Sequence, residues 1–181
     1  LEPAQVSALL QEISRRGMPT LKRLTGGGAT SLGEIGMLVA LRVLQSEFQA
    51  SPAEPGICPV QVGEDILNLL IPADPFKNHF EDLQSAIQHR SGERPDLIVA
   101  SIRFVAGKPV GLKLTPIEVK ARSDVFATSE RMAALAQASS FSQFLTEIQS
   151  RAQAVTIWSI AWRNLVASWL DYAFRVYGQL D

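Results

Sequence analysis

Apolar residues recur at helical spacing at Ile35, Leu38, Val39, Leu41 and Leu44, which predicts a first core helix over residues 32–49 with Ser31 as its N-cap. A weaker helical pattern runs through residues 3–24 (Val6, Leu9, Leu10, Ile13) and stops at Gly17-Met18-Pro19, and the triplet Gly26-Gly27-Gly28 leads from it into the core helix. After a loop with Pro52, Pro55, Gly56 and Pro59, "DILNLLIPAD" reads as a strand closed by Pro72. Asp74-Pro75 then resembles an N-cap with a first-turn proline, and Phe76, Phe80, Leu83 and Ile87 carry a helix to about His89. The next strands are "DLIVASIRFV" (96–105) and "GLKLTPIEVKA" (111–121), joined through Ala106-Gly107-Lys108-Pro109 as an antiparallel hairpin and buried by their Leu, Ile and Val content. From about Val125 to Gln153 the period is again helical, with a break expected near Ala138-Ser139-Ser140 and with Phe141, Phe144, Leu145 and Ile148 on one face. Trp158, Trp162, Leu165, Trp169 and Phe174 favour a last helix, although "AVTIWSIAW" alternates enough to permit a short strand.

One strand of this set carries unusual charge. Along an extended backbone Glu118 and Lys120 point to the same face while Ile117, Val119 and Ala121 point to the other. An unpaired buried charge is costly, so that face must open on a cleft, pair its charges or bind something. Asp96 stands at the start of the neighbouring strand, so two carboxylates and a lysine can converge. Oxygen ligands of this kind suit Mg²⁺ or Mn²⁺, with Asp96, Glu118 and the Val119 carbonyl as the expected metal ligands. Lys120 then orients the attacking water and offsets charge on a phosphate, and the chemistry expected is metal-assisted phosphodiester hydrolysis.

These residues resemble the PD-(D/E)xK nuclease superfamily, the restriction-endonuclease-like fold. "RPDLIV" is similar to its Pro-Asp motif and "IEVKAR" to its Glu-x-Lys motif, with 22 residues between Asp96 and Glu118. The family places a further acid on the preceding helix, where Glu34 of "SLGEIG" stands; Ser31-Leu32-Gly33-Glu34 also reads as a capping box. The resemblance covers roughly residues 30–135 and implies a central mixed β-sheet flanked by helices, a catalytic set of Asp96, Glu118, Lys120 and Glu34, and DNA as substrate in restriction, repair or defence. The family's further strand has "AVTIWSIAW" as its sole candidate. A different class of function, a catalytically silent nuclease-like domain for DNA binding or assembly, is the alternative.

Length and charge refine this picture. The 181 residues, 46% hydrophobic and 19% charged, suffice for a single α/β domain, with a core over about 30–153 and a helical segment over about 154–178. The net charge of −1 gives no general basic field, yet from Arg90 to Arg131 eight Lys and Arg face five Asp and Glu, and Arg94 and Arg122 are the expected DNA phosphate contacts; a solvated hairpin rim is the other reading. Asp74 is explained by capping, and Glu64 and Asp65 by a solvated edge. A lone Cys58 and two histidines, His79 and His89, argue against a disulfide framework or a Cys/His zinc site and for a reducing, cytoplasmic setting. The charges in the carboxy-terminal run, among them Arg163, Asp171 and Arg175, argue against a membrane span. The tryptophans of the last helix are expected in the core or facing a partner such as an ATPase or helicase domain. A chain that opens on Leu1 is expected to be a piece of a longer protein.

Overall fold

A computed structural model describes residues 28–49, 65–88, 94–121 and 125–177, in two compact units. The first holds the long helix α1 (Gly28–Gln49), residues 119–121 and Val125; the second holds everything else described. The expected helix at 3–24, the proline-rich loop, Cys58, His89 and Arg122 lie outside the described residues.

The helix α1 buries Glu34, Leu38, Leu41 and Leu44, four positions spaced three or four apart on one face. It is already helical at Gly28, so Ser31 lies inside the helix and not at the flanking N-cap position expected from the sequence. The capping-box reading of Glu34 falls with it, because a box needs its serine at the half-in flanking position.

In the second unit, β1 (Asp65–Pro72), β2 (Leu97–Val105) and β3 (Lys108–Ile117) form a sheet in the order β1-β2-β3. Both pairings are antiparallel, so the mixed sheet expected from the resemblance is not what the described residues form. The stretch that offered a further strand is helical instead: α4 (Thr156–Tyr177) follows α3 (Thr128–Ala154) after one residue. Trp158, Trp162, Leu165 and Trp169 recur every three or four residues, and satisfying that period buries more than satisfying the local alternation.

The sheet order also explains where prolines are tolerated. Pro109 and Pro116 lie in β3, an outer strand, where a missing N–H need not break a ladder on both sides. Here β3 is exposed or half-buried along its length, and only Leu97–Ala100 of β2 is fully buried, so the expectation of two buried strands holds for half of the hairpin.

One face of the sheet carries Leu69, Ile71, Ile98 and Ala100 and is packed with Phe141, Phe144, Leu145 and Ile148 of α3, Leu165, Trp169 and Ala173 of α4, and Phe76, Phe80 and Ile87 around α2 (Lys77–Ala86). Phe80 sits edge-on to Phe141 at 5.0 Å between ring centroids and tilted against Trp169 at 5.6 Å, geometries worth about 0.5–1.5 kcal/mol per pair beyond area burial. Packing at this density overrides local preference: α3 runs unbroken through Ala138-Ser139-Ser140, since an interior serine costs only some tenths of a kcal/mol, about 0.5, against the burial of the phenylalanines that follow. The tryptophans expected in the core or facing a partner belong to this core, Trp169 fully buried and Trp158 and Trp162 packed against it. Among the described residues no helix is long and apolar enough to cross a membrane.

Asp74 is the first residue of a 3₁₀ turn (Asp74–Phe76) ahead of α2, and its carboxylate accepts from Arg94. At the other end of the sheet, Ala106 and Gly107 form the two-residue hairpin turn with φ of 50° and 73°, the type I′ signature. Alanine is strained there because its Cβ crowds the backbone in the left-handed region. Replacing Ala106 with asparagine, which tolerates that region, is expected to raise stability by about 0.5–1 kcal/mol, read as a higher thermal midpoint. Ala106→Val is expected to lower it, and an Asn variant no more stable than the parent would contradict the turn assignment.

Candidate active site

The register of β2 decides what stands at the far end of the sheet. Leu97 pairs with Pro72 on one side and with Ile117 on the other. One step further back, the Ala73 N–H donates to the Asp96 carbonyl at 3.0 Å, so on that side the ladder continues past the strand. On the other side Ile117 is the last residue paired, so Asp96 and Glu118 each stand one residue beyond the Leu97–Ile117 pair, at the same end of the sheet. Both are half-buried, and Oε2 of Glu118 is sheltered from solvent.

The approach to Asp96 is held from two directions. Arg94 Nη2 donates to Asp74 Oδ1 at 2.8 Å, and Gln137 Nε2 of α3 donates to the Arg94 carbonyl at 2.8 Å. Pro95 between them is fully buried and fixes its own φ. Of the two arginines expected on phosphate, Arg94 therefore already has a carboxylate on its guanidinium, in a half-exposed pair. Gln137 was not singled out by sequence reasoning, and a glutamine among alanines on a helix gives no signal for it.

Glu118, Val119 and Lys120 differ from expectation in backbone. The strand β3 ends at Ile117, and 118–121 is irregular, so strand alternation does not fix Glu118 and Lys120 on one face. A strand needs a partner, and β2 begins only at Leu97, after the proline that cannot donate to a ladder. Lys120 is exposed and Val119 half-buried.

Within the first unit, Glu34 is buried on α1, 5% exposed, and the same helix lies against the segment that carries Lys120. Gly36 makes that approach: a Cβ built there collides with the methyl of Ala121. A glycine in the interior of an apolar helix is the sequence signal for such a contact.

A hard divalent cation takes one or two carboxylates and keeps several waters. Among the described residues no group of three or more His, Cys, Asp and Glu side chains is arranged to hold a metal ion. His79 is exposed on α2 and packs edge-on to Phe76, which accounts for it without a ligand role. The described clefts of the second unit lie elsewhere, along α3.

Comparison with known proteins gives no relative. No protein-family model, no curated protein and no solved structure matches the chain.

The Gly36–Ala121 contact is directly testable. Gly36→Ala is expected to cost about 1–3 kcal/mol in chemical denaturation through overpacking, and Ala121→Gly in the same chain to recover at least half of that loss. Additive effects of the two substitutions would mean that α1 does not pack on this segment.

Proposed function

We propose that the protein is a divalent-metal-dependent phosphodiesterase acting on DNA, with Asp96 and Glu118 as the metal-binding carboxylates. The observation that supports this reading is the β2 register, which pairs Leu97 with Ile117 and so leaves Asp96 and Glu118 each one residue beyond that pair, at the same end of the sheet. The Pro-Asp and Glu-x-Lys motifs supply the rest by resemblance.

Asp96 and Glu118 would hold the ion with the Val119 carbonyl. Bound there, Mg²⁺ or Mn²⁺ supplies Lewis acidity toward a phosphate oxygen and a water of lowered pKa. Lys120, two residues beyond Glu118, would by the same resemblance orient that water and offset charge that builds on the phosphate. Glu34 is assigned a supporting role, and Arg122 and Arg94 contact the backbone phosphates, for Arg94 in exchange for its bond to Asp74.

Cleavage of supercoiled and linear DNA in Mg²⁺, Mn²⁺ or EDTA tests this. The parent is expected to cut only with metal, Asp96→Asn and Glu118→Gln to lose activity, and Lys120→Ala to fall by about 100-fold or more. Metal-dependent cutting that survives Lys120→Ala removes that residue from the mechanism. DNA binding without cleavage in either metal would favour the silent binding or assembly domain.

A further inference from the structure

The strand β3 has a neighbour on one side only among the described residues, so its outer edge presents backbone N–H and C=O groups. Beside it runs a cleft of about 340 Å³ lined by Leu112, Lys113 and Leu114 of the strand, Ser142, Thr146 and Gln149 of α3, and, deeper, Leu145 and Trp162. Its size falls within the range of ligand-sized sites. A sheet edge asks for one kind of occupant, an extended polypeptide that continues the ladder and drops alternate side chains into the adjoining groove.

Charge decides whose polypeptide. The strand carries Lys108 and Lys113, both exposed, and no acid. Neither lysine has an ion-pair partner among the described residues. Glu147, on the neighbouring surface of α3, is held by Arg151 at 2.7 Å. Two copies of β3 paired edge to edge would line up lysines from both chains along one seam, an arrangement that edge strands use against self-pairing. An acidic strand meets the opposite condition. Val110 and Leu112 are also exposed on this edge, 50% and 37%, and offer apolar contacts between the charges. Pro109 and Pro116 bound the usable stretch to the six residues 110–115.

We infer that the β3 edge and its cleft dock an extended segment of a partner protein, with acidic and apolar side chains in alternation, by strand addition. The inference is independent of the metal site.

The ¹⁵N-labelled chain is titrated with an acetylated, amidated octapeptide of alternating valine and glutamate, and in parallel with the valine–lysine peptide. Expected are slowed exchange of amides in 110–115, a shift of the Trp162 indole signal, and affinity that falls about fivefold on Lys113→Glu while the lysine peptide gains. Lys113 is exposed, so that variant is expected to keep the parent's fluorescence and unfolding midpoint. Absence of binding at millimolar peptide, equal affinity for both peptides, or perturbation away from β3 would overturn the inference. Protection of 110–115 that grows with protein concentration and no peptide would also overturn it, by making a second copy the occupant.

Discussion

The register of β2 is the constraint on which the second unit depends. This strand pairs on both sides, buries Leu97 to Ala100 completely, and so cannot slip by one residue without turning Ile98 and Ala100 out of the aromatic core. Its fixed position sets the end of β1, the end of β3 and the placement of the residues just beyond them. Ala73 and Asp96 are hydrogen-bonded across the end of β1, and Glu118 follows the last paired residue of β3, so these placements follow from packing of the apolar core and not from any attraction between the acids.

Trp169 shows how strongly burial rules in this core. Its ring is fully enclosed among phenylalanines, and its Nε1–H finds no acceptor among the described residues. A buried donor left unmet costs about 1–3 kcal/mol, so the ring's apolar contacts must outweigh that cost. The same preference for packing over local polar bonding carries α3 through its serine pair and turns "AVTIWSIAW" into helix.

Much of this was legible in the sequence because it is written in period. The strand of Ile66 to Ile71, the Phe141–Ile148 face of α3, the hairpin at Ala106-Gly107 and the helical face of α1 all follow from spacing and turn residues. What the sequence left undecided depends on partners distant along the chain. The end of β3 depends on where β2 begins, after Pro95, and the fate of the Asp74 carboxylate depends on Arg94, while the tail that offered a further strand packs its tryptophans as a helix. For the site, the position of Asp96 and Glu118 at the same end of the hairpin was legible from the lengths of two adjacent strands. The irregular backbone at Lys120, the glycine contact at Gly36 and the Gln137 tie were not, since each is a tertiary fact with a weak local signature or none.

Two features of the second unit point outward for different reasons: a pair of carboxylates at one end of the sheet and a basic edge along its side. The first is the more consequential, and Mn²⁺ binding to the full chain, followed by electron paramagnetic resonance, addresses it without relying on turnover. A single site built from Asp96 and Glu118 predicts a bound ion that is lost on Asp96→Asn and on Glu118→Gln alike, with no further loss in the double variant. Mn²⁺ held by both single variants as tightly as by the parent would contradict it.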